Sequence, residues 1–199
     1  MKKILITQRL TRIGIHKELR DNIDIRLPNF IERLNFLPIL MPNDLDNPAK
    51  FIKNIKFSGV ILSGGDDPRK KDKRTKNEKF LINYCLKNEI PLLGICRGAQ
   101  MINLHLGGKL KKIKNHVRKN HIITGPAIKN KLKIKSYHDY GFSKKILAKN
   151  LTILAQSSDK IVKFFCHNNH KLFGIMWHPE RNMRFKKFDI NMIKKIFDK

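Results

Sequence analysis

The stretch Pro91-Leu-Leu-Gly-Ile-Cys-Arg-Gly-Ala-Gln100 decides the fold prediction. Its apolar first half is typical of a short buried strand, and the amphipathic segment 99–106 predicts a helix packed back onto the sheet. Cys96 therefore falls on the turn between strand and helix. Gly94 and Gly98 bracket it at the spacing of a nucleophile elbow, where residues without side chains allow a sharp turn that exposes the central residue.

An elbow of this kind would activate the Cys96 thiol. A thiol at a helix N-terminus meets unpaired N–H groups and the positive end of the helix dipole, and both favour the thiolate. The backbone N–H of Arg97 would then point to the oxyanion that forms on an attacked carbonyl. The alternative interpretation is a buried cysteine at a strand end, beside two glycines that serve packing alone.

The first half of the chain alternates strands and helices. Buried strands are predicted at 3–7, 36–41, 59–62 and 92–95, with helices at 49–55 and around 80–85. This alternation predicts a parallel sheet with crossover helices on both faces. Pro38 indicates that the second strand lies at an edge or contains a bend, because proline cannot donate to a ladder. The polar segment 11–28 shows no periodicity that assigns it.

After Gly108 the pattern changes to short strands at the spacing of hairpins. These strands are predicted at 121–124, 132–136, 151–155, 161–166 and 171–177. A helix at 192–197 closes the chain. We therefore expect one domain over residues 1–199, with a flavodoxin-like three-layer α/β/α fold. Its central sheet is expected to be mostly parallel, with extra short antiparallel strands in the C-terminal half.

The composition is strongly basic, with 43 Lys and Arg against 16 Asp and Glu and a formal net charge of +27. Such a charge suits an anionic partner: nucleic acid, an anionic membrane surface or a phosphorylated metabolite. The excess is mostly scattered lysine, which is typical of a solvated surface. The densest run, 69–76, lacks the interleaved aromatics of single-strand binders, which argues against nucleic acid. We interpret this run as a lid over substrate, a solvated loop or the start of a helix that continues to Lys79.

Three cysteines without a CxxC pair indicate a reducing compartment, and Cys85 and Cys166 are predicted to lie in the core. Residues 1–8 lack the apolar core of a signal peptide, and no segment approaches a membrane span. The expectation is a cytoplasmic protein. The histidines show neither HExxH nor zinc-finger spacing, so no metal site and no cofactor is predicted.

Two further segments supply parts that a cysteine nucleophile needs. Trp177-His-Pro-Glu180 provides a base and its orienting partner, since proline keeps His178 extended while Glu180 turns back to one ring nitrogen. Gly64 and Gly65 follow a strand and offer bare amides to an oxyanion, although on these residues alone a simple turn is the better explanation. Arg9 follows the first strand and would meet an anionic substrate, unless it is an ordinary surface arginine.

These motifs together resemble the class I glutamine amidotransferase superfamily, in which Gly-x-Cys-x-Gly-x-Gln and His-Pro-Glu occur in this order. The loop 63–68 and the segment Ser136-Tyr-His138 are similar to its γ-glutamyl hydrolase branch, peptidase family C26. Lys135 stands where that branch has asparagine. The resemblance covers residues 1 to about 181.

The resemblance implies a hydrolase with a catalytic triad of Cys96, His178 and Glu180. It also implies an oxyanion hole from the amides of Arg97 and the Gly64-Gly65 loop. It places Gln100 near the glutamyl moiety, and it implies that a small-molecule γ-glutamyl amide is cleaved through a γ-glutamyl thioester. The role of Gln100 and the γ-glutamyl thioester come from the resemblance alone.

The segments 6–10 and 136–141 are most similar to hydrolases of γ-glutamyl-CDP-amidate, which release glutamate and a cytidine diphosphoramidate for capsule phosphoramidate synthesis. His138 is the candidate for leaving-group recognition, against the alternative of a core histidine. Three other functions stay open. They are a glutaminase subunit that supplies ammonia to a synthetase, a hydrolase of another γ-glutamyl amine such as γ-glutamyl-GABA, and a basic nucleic-acid-binding protein on an inactive scaffold.

Overall fold

The computed structural model describes residues 1–198. In chain order its elements are β1 (Lys2–Thr7), β2 (Arg9–Ile13), β3 (Glu18–Asn22), α1 (Arg26–Arg33), β4 (Phe36–Met41), α2 (Pro48–Ile55), β5 (Gly59–Leu62), α3 (Lys73–Lys87), β6 (Leu92–Ile95), α4 (Arg97–His105), β7 (Lys111–Lys112), β8 (Val117–Gly125), β9 (Ile128–Tyr137), β10 (Tyr140–Gly141), β11 (Leu151–Ser157), β12 (Val162–His167), β13 (Leu172–Ile175) and α5 (Lys187–Phe197).

The main sheet has nine strands in the order β4-β1-β5-β6-β13-β12-β11-β8-β9. The strands from β4 to β13 are parallel, and those from β12 to β9 are antiparallel. Within the parallel part β13 lies beside β6 in register, with Ile175 opposite Ile95. The strand that leads to His178 therefore runs alongside the strand that leads to Cys96.

Helices cover both faces of the parallel strands, so the fold has three layers. Adjacent strand residues point to opposite faces: Leu93 belongs to one core and Leu92 to the other. The first core is closed by α1 and α5, represented by Phe30 and Phe197. The second is closed by α2, α3 and α4. The expected α/β fold with a mostly parallel sheet and C-terminal antiparallel strands is confirmed.

Several local predictions are also confirmed. The strands at 36–41 and 59–62 have the predicted boundaries, and β4, which carries Pro38, lies at the edge of the sheet. Cys85 is buried in the second core. Helix α4 begins at Arg97, directly after the cysteine, as the elbow requires. No helix within residues 1–198 combines the length and apolar character needed to cross a membrane.

Three features differ from the sequence expectations or complete them. The unassigned segment 11–28 contains most of a hairpin of β2 and β3 and the start of α1. The hairpin is mostly exposed, so it carries no buried face that alternation would reveal. The prediction of Cys166 as a core residue is wrong, because it is only half-buried near the end of β12. Within the basic run 69–76 the start of a helix is confirmed, since α3 begins at Lys73.

Candidate active site

Cys96 occupies a strained turn between β6 and α4. Its backbone has φ 51° and ψ −99°, a conformation that costs a non-glycine residue about 1–3 kcal/mol. Its N–H donates to the carbonyl oxygen of Ile175 (2.7 Å), which ties the turn to β13. A side-chain Cβ at Gly94 would lie 2.6 Å from the backbone nitrogen of Ala99, and one at Gly98 would collide with the carbonyl of Leu62. The motif glycines therefore allow the helix to begin against the sheet.

His178 follows β13 and reaches back to the same turn. Its backbone is extended (φ −122°, ψ 90°), as the following proline requires. Its Nδ1 lies 2.7 Å from Oε1 of the buried Glu180, which is the orienting contact predicted from the sequence. The charge of Cys96 acts on the same ring and raises the pKa of His178. The structure thus brings Cys96, His178 and Glu180 together.

The electrostatics at His178 favour the imidazolium. Burial lowers the pKa of His178, but the charge and hydrogen bond of Cys96 and then Glu180 outweigh it and raise that pKa to about 9. A protonated His178 beside a thiolate is the state from which a cysteine nucleophile attacks. The arrangement can also supply a proton to a departing nitrogen.

The loop after β5 lies directly against this pair. A Cβ at Gly64 would lie 2.5 Å from Cε1 of His178, so only glycine allows the loop to approach so closely. Arg74 Nη2 donates to the carbonyl oxygens of Ser63 (2.8 Å) and Gly64 (3.1 Å). In trans peptides the N–H points opposite to the carbonyl, so the amides of Gly64 and Gly65 face away from Arg74.

A buried charge cluster supports this loop from behind. We call Glu78, Arg74 and Arg97 the Glu78 cluster. Glu78 is 0% exposed, pairs with Nε of Arg74 (2.9 Å) and with Nη1 of Arg97, and accepts from Thr7 Oγ1 (3.0 Å). The side chain of Arg97 also reaches Thr75 Oγ1 (3.1 Å). The backbone N–H of Arg97, the first residue of α4, has no partner within the helix and stays available at the elbow.

Sequence reasoning misses most of this cluster. In the sequence Arg74 belongs to the basic run 69–76, yet in the structure it is buried together with Glu78. One sequence pattern could have predicted the Arg74–Glu78 pair. The two residues are four positions apart, which places opposite charges on one helix face. That spacing alone does not distinguish a buried pair from a surface pair.

The remaining predicted residues line the other side of the turn. Gln100 Nε2 donates to the carbonyl oxygen of Tyr140 (2.8 Å), and His138 Nδ1 lies 2.8 Å from the same oxygen. Gln100 and His138 are therefore brought together through one backbone group. Arg9 is half-buried and its Nε lies 3.4 Å from the carbonyl oxygen of Gly64, so it contacts the loop after β5.

A basic groove of about 1310 Å³ begins at the end of this loop. Its lining includes Arg12, Arg69, Lys70, Lys73, Lys76 and Lys79. The guanidinium carbon of Arg69 lies 4.2 Å from the ring centroid of Tyr140, the residue whose carbonyl accepts from Gln100. The lining of the groove includes neither Cys96 nor His178. Within residues 1–198 no group of three or more His, Cys, Asp or Glu side chains is arranged to hold a metal ion.

The family "Glutamine amidotransferase class-I" matches residues 21–199 of the chain. The chain belongs to this family. It is an amidotransferase-like hydrolase, consistent with a Cys–His–Glu site at the carboxyl ends of parallel strands. The predicted resemblance is therefore confirmed at the level of the family.

Individual relatives of this amidotransferase-family chain act on different amides. It is 34% identical over 185 residues to the gamma-glutamyl-CDP-amidate hydrolase of Campylobacter jejuni subsp. jejuni serotype O:2, covering 88% of each chain. It is 30% identical over 146 residues to a glutamine-hydrolyzing GMP synthase subunit of Thermococcus kodakarensis, covering 71% of this chain and 74% of that one.

Among solved structures, the fold is similar to that of a putative GMP synthase subunit from Thermoplasma acidophilum. The TM-score is 0.74 at 20% identity, and the match covers 100% of this chain and 93% of the other. At that identity the likeness supports the fold alone.

Proposed function

We propose that this protein hydrolyses a γ-glutamyl amide with Cys96 as nucleophile and that its substrate is γ-glutamyl-CDP-amidate. One observation carries the proposal: Cys96, strained at an elbow, and His178 follow the adjacent parallel strands β6 and β13, and Glu180 orients the His178 ring. A thiol, a base and an orienting carboxylate are the parts that covalent amide hydrolysis needs. The Campylobacter relative supports the choice of substrate.

The first half of the reaction forms a thioester. The Cys96 thiolate attacks the γ-carbonyl carbon, and the carbonyl oxygen becomes an oxyanion that accepts from the amides of Arg97 and the Gly64-Gly65 loop. His178 gives its proton to the amide nitrogen, so the C–N bond breaks and the amine leaves. The product on the enzyme is a γ-glutamyl thioester. The neutral imidazole that remains is the base for the second half.

In the second half His178 removes a proton from a water molecule, which attacks the thioester carbonyl at the same oxyanion site. The C–S bond breaks, glutamate leaves, and the thiolate–imidazolium pair is restored. Glu180 holds Nδ1 of His178 throughout, so Nε2 is the atom that exchanges protons with substrate and water. With γ-glutamyl-CDP-amidate the first product is a cytidine diphosphoramidate, the compound expected for capsule phosphoramidate synthesis.

The basic groove supports a phosphorylated leaving group. Its lining has seven arginine and lysine side chains against the two carboxylates of Asp66 and Asp72, and its Arg69 contacts the ring of Tyr140. Guanidinium groups suit the paired oxygens of a pyrophosphate. Arg9, on the loop side of the turn, is a second cation within the same region. The leaving group of γ-glutamyl-GABA carries a single carboxylate, so it would engage fewer of these cations than a pyrophosphate does.

A glutaminase subunit is the second candidate, because the chain is 30% identical to a glutamine-hydrolyzing GMP synthase subunit. Such a protein would prefer free glutamine and would depend on a synthetase partner. It would use the same cysteine chemistry, so substrate preference is what separates the two functions.

The test is glutamate release from a panel of glutamine, γ-glutamyl-GABA and γ-glutamyl-CDP-amidate, by wild type and Cys96→Ala. We expect the nucleotide conjugate to give the highest kcat/KM, and Cys96→Ala to lose about 10⁴-fold or more. Preference for glutamine would favour the glutaminase, and preference for γ-glutamyl-GABA a different leaving group. Salt-sensitive nucleic-acid binding without hydrolysis would favour the inactive scaffold.

A further inference from the structure

Lys163 is a buried lysine that the proposed reaction does not use. It lies in β12 and is 0% exposed, although lysine is almost never fully buried unless it is paired. Its Nζ contacts three polar atoms: Nδ1 of His116 (2.8 Å), Oγ of Ser136 (2.8 Å) and Nε2 of His138 (3.0 Å). An ammonium has three hydrogens and no acceptor, so this arrangement satisfies all of them. We call these four residues the Lys163 cluster.

The contacts around the two histidines assign their protons. His138 Nδ1 faces the carbonyl oxygen of Tyr140, which only accepts, so Nδ1 carries the hydrogen and Nε2 accepts from Lys163. His116 Nε2 faces Oδ2 of Asp159 (2.6 Å), so Nε2 carries the hydrogen and Nδ1 accepts from Lys163. The two rings therefore hold opposite tautomers on either side of one ammonium.

Burial and charge agree with neutral rings. Burial and then the charge of Lys163 lower the pKa of His138 well below its usual value, and burial does the same to a lesser extent for His116. His121 stacks on His116, with 4.1 Å between centroids, and its pKa is lowered by burial as well. The positive charge of the cluster thus resides on Lys163.

The Lys163 cluster connects to the proposed catalytic centre through the segment 136–140. The ring of Tyr137 packs edge-on against His178, with 5.6 Å between centroids, and the Tyr140 carbonyl accepts from Gln100. Charge connects the two as well. Burial lowers the pKa of Lys163 to about 7, while the charges of Asp159 and Cys96 act to raise it.

We propose that Lys163 is a positioning residue of the catalytic centre. Its ammonium fixes His138 as the Nδ1–H tautomer, holds the segment 136–140 against His178 and Gln100, and keeps a buried cation that favours the Cys96 thiolate. This rests on the proposed function insofar as Cys96 is the nucleophile. It does not depend on which amine leaves.

The test compares Lys163→Met, Lys163→Arg and Lys171→Met. Methionine keeps the length of lysine without its charge or donors, arginine keeps the charge, and Lys171 is an exposed lysine whose loss changes net charge equally. The rate of Cys96 alkylation by iodoacetamide is followed against pH, with the Cys96 peptide quantified by mass spectrometry. We expect the pH midpoint of Cys96 alkylation to rise by about one pH unit in Lys163→Met. In Lys171→Met the same midpoint should match that of the wild type.

Lys163→Arg is expected to keep the alkylation midpoint nearer to wild type than Lys163→Met does. A midpoint in folded Lys163→Met that equals the wild-type value would overturn the proposal, as would an equal rise in Lys171→Met. A merely structural lysine would change stability and leave the midpoint where it is.

A second measurement needs no variant, in case Lys163→Met does not fold. The ring nitrogens of the wild-type protein are observed by ¹⁵N NMR at neutral pH. We expect His138 as the Nδ1–H tautomer and His116 as the Nε2–H tautomer. An Nε2–H tautomer or an imidazolium at His138 would contradict the proposal. Neither experiment uses substrate, so an enzyme that cleaves nothing in the panel yet shows both signatures would refute the proposed function alone.

Discussion

The two buried polar clusters beside the catalytic turn hold their charges differently. In the Glu78 cluster one carboxylate lies between two guanidiniums. Burial acts to raise the pKa of Glu78, but Arg74 and Arg97 outweigh it and keep that pKa below its usual value. In the Lys163 cluster a single amine is surrounded by neutral acceptors, and its pKa falls to about 7.

The two clusters hold two different parts of the proposed site. Guanidinium groups stay charged at any pH at which proteins fold, so the loop of Gly64 and Gly65 is held in a geometry that does not respond to pH. Lysine changes its charge readily when buried, so the segment 136–140 is held by a group that ionises near neutrality. We infer that the oxyanion side is rigid and the leaving-group side is adjustable.

Glu78→Gln breaks the first cluster and has the largest expected effect on stability. It leaves two buried guanidiniums without an anion, so we expect a loss of about 3–5 kcal/mol in the free energy of unfolding. Chemical denaturation measures it. Glu32→Gln, at an exposed helical position, is the control and should stay within about 0.5 kcal/mol of wild type. A small loss in Glu78→Gln would mean that the cluster is not the support that we describe.

His178 lies between the clusters, and its titration tests the coupling to Cys96. Its pKa is raised from 6.5 to about 9, with Cys96 as the largest raising influence. The stabilisation that protonated His178 gives to the folded state is complete below pH 6.5 and is lost as the pH rises through about 9. In Cys96→Ala we expect NMR to show a lower pKa for His178. We also expect the difference in the free energy of unfolding between Cys96→Ala and wild type to change as the pH rises from 6.5 to about 9. An unchanged titration would remove Cys96 as the cause.

Asp159→Asn tests the Lys163 cluster, and its effect is the smallest that we expect. Asp159 accepts from His116 and acts to raise the pKa of Lys163, but its side chain is 47% exposed and its charge is screened by solvent. We expect the Cys96 alkylation midpoint to rise by about a few tenths of a pH unit, less than in Lys163→Met. A shift larger than that of Lys163→Met would assign the electrostatic control to Asp159 instead.

The sequence predicted the turn and its partners because those signals are local. Gly94, Cys96 and Gly98 specify a backbone path within five residues, and Pro179 fixes the conformation of His178. The Lys163 cluster could not be predicted in the same way. A single lysine within the apolar strand 161–166 was visible, but its partners lie 25 to 47 residues away in sequence. Only the antiparallel half of the sheet brings them together.

The hairpin of β2 and β3 was missed for the opposite reason. Its residues are mostly exposed on both faces, so no alternation of apolar and polar side chains marks the strands. Cys166 was misplaced because the strand 161–166 looks uniformly apolar, whereas β12 leaves the core before it ends. Hydrophobicity predicts which residues can be buried, and the length of the neighbouring elements decides which are.

Direct detection of a γ-glutamyl thioester tests the central claim that Cys96 is the nucleophile. Wild type and Cys96→Ala are mixed with γ-glutamyl-CDP-amidate, quenched in acid and digested, and the Cys96 peptide is examined by mass spectrometry. We predict one glutamyl group on Cys96 in the wild type, with neither adduct nor glutamate release in Cys96→Ala. Continued glutamate release by Cys96→Ala would contradict the account.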